Sequence, residues 1–301
     1  MKTLTYLFSV TLCCFGLYVL ETEGNMFNVY NVASRIQEIS TFVSAIGDAG
    51  LKNNLTGSSQ FTLFAPTNEA FNELPANVKN NKTLMKSIVM YHITKGMLTH
   101  KRILDDSTVD SLLQGAKLRL NKYGFQSFAL PTICITGVNA DYFDVHASNG
   151  IIYILEKVIY PFPKQNAYEV AARSTDFSTL SFLLVKDKLD ALLKNAPHVT
   201  VFAPTNKAFQ NVPSKTMSNL LSNQTALDNV LKFHVLQSTY YTAAIPRRSG
   251  KLVLTTESTK RVTFYTGEDG VLYVDEAKVL TSNITLTNGV LHIIDKVLIP
   301  H

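Results

Sequence analysis

Side chains that could carry covalent or acid–base chemistry are scattered along this chain. The seven histidines, His92, His100, His146, His198, His234, His292 and His301, never fall at i, i+4. There is no Gly-x-Ser-x-Gly elbow, no His-Glu-x-x-His, no phosphate-cradling glycine loop and no Cys/His metal spacing. Those are the local patterns that bring a nucleophile to a base, or a metal to its water. The sequence therefore predicts a protein that is not an enzyme and needs no cofactor. Three other kinds of chemistry remain. Asn54-Leu55-Thr56, Asn81-Lys82-Thr83, Asn223-Gln224-Thr225 and Asn283-Ile284-Thr285 are acceptor sequons for N-linked glycan. The basic groups Lys101-Arg102, Lys117/Arg119/Lys122, Arg247-Arg248 with Lys251, and Lys260-Arg261 offer charge to a polyanion, against the plainer reading of solvated surface. Cys134, within Ile133-Cys134-Ile135, reads as a buried thiol rather than an intermolecular bridge.

The compartment follows from the N-terminus. Met1-Lys2 precedes a mostly apolar run from Leu4 to Leu20, and Thr22-Glu23-Gly24 supplies small residues for cleavage before Asn25. Residues 1–24 are read as a secretory signal peptide, with a retained signal anchor as the alternative. Cys13 and Cys14 lie inside it, so the mature chain keeps Cys134 alone and rests on its cores rather than on disulfides. No later stretch is long enough to span a bilayer, and no hydrophobic tail for a lipid anchor is expected after the last unit. Net charge is +5. A mildly basic secreted protein meets glycosaminoglycans and anionic cell surfaces, not nucleic acid.

The elements that must position these groups come in duplicate. Residues 61–75 read FTLFAPTNEAFNELP and residues 199–213 read VTVFAPTNKAFQNVP, 138 positions apart in a chain of 301. Self-similarity at that period means two copies of one unit. Phe61–Phe64 suits a buried strand, Pro66 marks its end, and Thr67 or Asn68 caps a helix that turns Ala70, Phe71 and Leu74 to one side. Before this stretch, Val32, Ile36, Ile39, Phe42, Val43 and Ile46 give a helical stripe, broken by Gly47 and Gly50. After it, Leu84, Ile88 and Val89 predict another helix. Strands are predicted around 109–113, 116–120, 133–135, 142–145 and 151–154, with turns at Asn121-Lys122-Tyr123-Gly124 and Ser148-Asn149-Gly150. Helices first and strands second is α+β order. The domain boundaries are set at 27–162 and 166–301, joined by the short, stiff Pro161-Phe162-Pro163-Lys164-Gln165.

Three boxes recur in each unit. They are Phe-Ala-Pro-Thr-Asn-x-Ala-Phe; the aromatic-His pair Tyr91-His92 and Phe233-His234; and the closing Asn149-Gly150-Ile151-Ile152-Tyr153-Ile154 and Asn288-Gly289-Val290-Leu291-His292-Ile293-Ile294-Asp295. On these boxes, which span almost all of 27–301, the chain resembles the fasciclin-type adhesion domains, the family of periostin and the transforming-growth-factor-induced matrix protein. The resemblance implies two tandem units, each a β-sheet wedge with a helical bundle packed alongside. It implies a secreted adhesion or extracellular-matrix protein that binds integrins and matrix components and has no catalytic activity. The larger relatives carry four such domains and a Cys-rich module, so their cross-linking functions are not transferred to two domains.

The resemblance also supplies contact candidates. The family's proposed integrin-contacting Asp-Ile pair falls at Asp144-Val145 in the first unit and at Asn283-Ile284 in the second, where the carboxylate is missing. Integrin-type receptors hold a ligand carboxylate through a divalent cation, which wants anionic oxygen. Unit one is therefore expected to carry the contact at Asp144, against the plain reading of a solvent-facing strand residue. The aromatic-His pairs Tyr91-His92 and Phe233-His234 are the family's other proposed adhesive site, against the reading of histidines buried on backbone hydrogen bonds. The chain contains no Arg-Gly-Asp. Two functions stand at this point: an adhesion ligand for cell-surface receptors, and a matrix scaffold that binds glycosaminoglycan or matrix proteins through basic clusters.

Overall fold

The computed structural model describes residues 27–124, 131–246 and 250–300. The signal-peptide segment 1–24 and the basic pair Arg247-Arg248 lie outside the described residues. The chain divides into two compact units at Pro161 and Phe162.

In the first unit the helices come early, as their caps dictate. Helix α1 (Val29–Ala33) starts where the Asn28 side chain accepts from the Asn31 N–H. A single 3₁₀ turn (Gln37–Ile39) leads into α2 (Ser40–Asp48), and α3 (Lys52–Thr56) follows. The long apolar stripe predicted from Val32 to Ile46 is thus two helices. Ile36 is extended, and the start of α2 is held by a side chain from another element: Asn68 donates to Gln37 O (2.9 Å) and accepts from the Thr41 N–H (2.9 Å). Strand β1 (Phe61–Pro66) is buried along its whole length. Thr67 then accepts from the Ala70 N–H and begins α4 (Asn68–Asn72), followed by α5 (Ala76–Lys79). Asn81 accepts from the Leu84 N–H and begins α6 (Lys82–Tyr91).

The strands are β2 (Ile93–Lys95), β3 (Ser107–Asp110), β4 (Lys117–Tyr123), β5 (Thr132–Ile135), β6 (Val138–Ala147) and β7 (Gly150–Leu155). Their order is β2-β1-β7-β6-β5-β4-β3. Every neighbouring pair is antiparallel except β1 and β7, which run parallel from Phe61 opposite Gly150 to Pro66 opposite Leu155. Both strands of that pair are covered on both faces, which is why FTLFAP and GIIYIL read as continuous apolar runs rather than alternating ones. The ten-residue β6 belongs to both halves of the wedge. Its register slips twice, between Ala140 and Tyr142 and between Tyr142 and Val145, so the strand bends around the core. A bridge from Thr94 to Ser111 draws the two outer edges together, giving a barrel-like sheet. Asn121-Lys122-Tyr123, expected as a turn, instead continues β4 against Thr132–Cys134, because Tyr123 and Leu120 reach the core.

The second unit repeats the plan. A capping box between Asn166 and Glu169 opens α7 (Ala167–Arg173). A 3₁₀ turn (Thr175–Phe177), α8 (Ser178–Lys186) and α9 (Asp190–Asn195) precede β8 (Val199–Pro204). Helices α10 (Asn206–Gln210), α11 (Ser214–Ser222) and α12 (Gln224–Phe233) follow. The strands β9 (Val235–Leu236), β10 (Lys251–Thr255), β11 (Arg261–Thr266), β12 (Leu272–Val274), β13 (Ala277–Leu286) and β14 (Gly289–Ile294) close the unit. The order β10-β11-β12-β13-β14-β8-β9 is the same order read from its other end, with β14 parallel to β8. Among the described residues no helix is long and apolar enough to cross a membrane.

Candidate receptor-contact site

The three boxes turn inward. In the first, the threonine caps its own helix, and the asparagine ties that helix to the one before it. Asn206 repeats the Asn68 contacts, accepting from the Thr179 N–H (2.9 Å) and donating to Thr175 O (2.7 Å). In the second box, both histidines are fixed by backbone on both ring nitrogens. His92 Nε2 accepts from the Ile159 N–H (2.9 Å), so Nδ1 carries the proton and donates to Ile88 O (2.8 Å). His234 does the same with the Leu298 N–H (2.9 Å) and Val230 O (2.8 Å). Each ring thereby ties the end of a helix to the chain beyond the last strand. Burial holds both imidazoles neutral, with pKa values pushed down to about 4.

This corrects one expectation. Tyr91, His92, Phe233 and His234 are core residues, and none is at the surface of the folded unit. Tyr91 is fully enclosed and its hydroxyl donates to Lys117 O (2.8 Å).

In the third box, Asn149 is more than a turn residue. Its side chain accepts from the Val29 N–H (2.7 Å) and donates to Leu55 O (3.0 Å) and Gly57 O (2.6 Å), joining the hairpin to α1 and to the end of α3. Asn288 repeats this with the Ala167 N–H, Leu193 O and Ala196 O.

Asp144 sits on the bulge of β6 with φ +59°, and its carboxylate points back into the unit. Oδ1 accepts from the His100 N–H (2.7 Å) and lies 3.1 Å from the Tyr153 hydroxyl; Oδ2 faces His100 Nδ1 at 2.5 Å. Its side chain is 17% exposed, and Val145 beside it is buried. The expected surface carboxylate is therefore a clasp that pins the loop around His100 to β6 and β7.

The second unit builds the same clasp without charge. Asn283, also at positive φ (+60°), accepts from the Thr242 N–H (2.9 Å) and donates to Thr242 Oγ1 (2.7 Å). His292 takes the place of Tyr153 and bonds to Tyr240 O (2.9 Å) as Tyr153 bonds to Leu98 O (2.7 Å). Asn283 shows that an amide suffices here. Asp144→Asn is accordingly expected to fold and to cost about 1–2 kcal/mol, the charge-assisted share of the bonds to His100. Urea denaturation of the two proteins measures it. A loss near zero would mean that the charge of Asp144 adds nothing beyond what an amide supplies.

The fasciclin domain family matches residues 37–161 and 175–300, one match to each unit. The chain belongs to the fasciclin domain family. Transforming growth factor-beta-induced protein ig-h3 of Oryctolagus cuniculus is 28% identical over 301 residues, covering 96% of this chain and 42% of that protein. Human periostin is 28% identical over 261 residues, covering 87% of this chain and 30% of that one. The chain thus spans less than half the length of these relatives. A solved fasciclin domain pair from the insect cell adhesion molecule fasciclin I shares 22% identity and a TM-score of 0.40, covering 87% of this chain and 97% of that one.

The surface candidates of the fasciclin units divide clearly. Asn54, Asn81 and Asn223 are exposed, the last two as N-caps of the equivalent helices α6 and α12. Asn283 differs, since its amide nitrogen is already donated to Thr242. Lys101, Arg102, Lys251, Lys260 and Arg261 are exposed. The Lys117/Arg119/Lys122 group disperses: Lys117 pairs with Asp110 (2.9 Å), Arg119 is buried against Asp106 (2.6 Å), and Lys122 Nζ donates to His100 O (3.2 Å). Sequence reading missed His100, Tyr153, Asn149 and Asn288 as fixed points of the site. The repeat held the signal. His100 and Thr242 each stand eight residues after their box histidine, and the closing asparagine is the same in both fasciclin units.

Proposed function

We propose that this chain is an extracellular adhesion protein, secreted through its N-terminal signal, that cell-surface receptors of the integrin type recognise on its fasciclin units. The observation that carries this reading is that a fasciclin domain fills each half of the chain, 37–161 and 175–300. Recognition of a ligand carboxylate by such a receptor goes through a divalent cation. Cells plated on the immobilised mature chain, residues 25–301, are expected to attach in the presence of magnesium and to detach with EDTA. Attachment indifferent to EDTA would overturn the reading.

A second reading, a matrix scaffold that binds glycosaminoglycan, is favoured by the exposed Lys101-Arg102 turn and by Lys260-Arg261 at the turn between β10 and β11. Attachment or heparin retention through these residues would fall steeply between 0.1 and 0.5 M salt while ignoring the chelator, since exposed charges are screened over about 10 Å at 0.1 M ionic strength. Matrix proteins are partners under either reading.

A further inference from the structure

We infer that the receptor contact in the first unit is the Leu104-Asp105 turn, presented to a receptor that binds a carboxylate through a divalent cation beside an apolar pocket. This rests on the receptor reading above and names the residues that serve it.

Leu104 is 73% exposed, the most exposed large apolar side chain among the described residues. Its neighbour Ile103 is buried, so the backbone around Leu104 is anchored from within. Asp105 is exposed, and its carboxylate is held by one oxygen only. Oδ1 accepts from the Asp106 N–H (2.9 Å) and from the Lys122 N–H (2.8 Å), while Oδ2 has no hydrogen-bond partner among the described residues. The result is an oriented anion with its outer oxygen open, next to an apolar side chain standing in water.

The turn is fixed on both flanks. Upstream, the Asp144 clasp holds His100, and the Arg102 and Ile103 N–H groups donate to Thr99 O. Downstream, Ser107 Oγ donates to Leu104 O (2.6 Å) and Arg119 holds Asp106. A loop already in its bound shape gives up little conformational entropy on docking. A hard divalent cation selects anionic oxygen, and the desolvation of Leu104 supplies the apolar part of the contact. Other acids nearby are spent: Asp106 on Arg119, Asp144 on His100 and Asp110 on Lys117. The sequence of the second unit offers no Leu-Asp pair there. Counting from its box histidine, Leu104-Asp105 becomes Pro246-Arg247, so the contact belongs to the first unit alone.

The test is cell attachment to the full mature chain, read as the coating concentration that gives half-maximal attachment, with magnesium or EDTA. Asp105→Asn keeps an oxygen for both backbone N–H groups and removes the charge, so the fold is retained. It is expected to raise the half-maximal concentration at least 10-fold. Leu104→Ser, at an exposed position, is expected to do the same with an unchanged melting temperature. Asp110→Asn, a neighbouring surface acid already paired with Lys117, is expected to leave attachment alone. EDTA-sensitive attachment that survives both Asp105→Asn and Leu104→Ser would overturn this assignment and leave the receptor reading standing. Wild-type attachment that is absent, or that ignores EDTA, would overturn both.

Discussion

Gly289→Ala is expected to abolish the central ladder of the second unit. Gly289 opens β14 directly opposite Val199, and a Cβ built on it would lie 1.9 Å from Val199 O. The obstacle is main chain, not the flexible end of a side chain. Relief requires β8 and β14 to move apart along the pairing that carries six residues of each strand. Overpacking a well-packed site costs about 1–3 kcal/mol when side chains can adjust. With ladder bonds lost as well, at about 1 kcal/mol each, the total here is on the order of 4 kcal/mol or more. Hydrogen exchange read on the peptide covering 199–204 should show protection lost in the variant. The matched Gly150→Ala is a milder insult, because its Cβ meets Phe61 O at 2.6 Å and the Val29 side chain at 2.8 Å. Native protection of β8 in Gly289→Ala would mean that the two strands can part without cost, contrary to the geometry.

Acid is expected to weaken the second unit about twice as steeply as the first through their histidines. His92 in the first unit, and His234 and His292 in the second, are enclosed, and burial pushes each down to about 4. An unfolded chain returns them to about 6.5. Above about 6.5 these groups are neutral in both states, and the folded state keeps its full stability. As pH falls from about 6.5 towards about 4 the unfolded state takes up protons that the folded state refuses. Each histidine then removes about 1.4 kcal/mol per pH unit, on the order of 3 kcal/mol by pH 4. The first unit carries one such group and the second carries two. Asp187 at the end of α8 works the other way. Burial and the neighbouring Asp228 raise its pKa, so its protonation favours the folded second unit as pH falls. Hydrogen exchange of β1 and β8 at pH 7, 6 and 5 in urea separates the two slopes. Equal slopes in an Asp187→Asn background, where that offset is absent, would show that His292 is not held neutral as its enclosure requires.

The strand-to-helix box, the capping threonine and the buried six-residue strands were legible because each rests on local chemistry: an apolar run, a proline stop and a side-chain oxygen before a helix. The inward role of His92 and His234 was legible as an alternative, because an apolar helix ran straight into each histidine. What was not legible depends on contacts between residues far apart in sequence. Asp144 read as a surface carboxylate because nothing near it reveals that a bulge turns it to positive φ, or that His100 waits 44 residues earlier. Asn149-Gly150 read as a turn, which it is, but the reach of its side chain to Val29 and Leu55 belongs to the tertiary fold. Asn121–Tyr123 failed for a plainer reason. Asn and Lys suggested a turn, while the pairing with β5 and the burial of Tyr123 carried the strand onward.

The parallel pair at the centre of each unit has a consequence for how the protein is made. Phe61 meets Gly150 and Val199 meets Gly289, partners separated by about 90 residues of intervening chain. An emerging polypeptide therefore displays a mostly apolar strand, β1 or β8, long before the strand that covers it has been synthesised. Loop closure of this length is slow relative to helix formation, and unpaired apolar strands invite association with other chains. Each unit stays unfinished until its final strand arrives, so truncation near either C-terminal boundary yields a sticky precursor rather than a smaller domain.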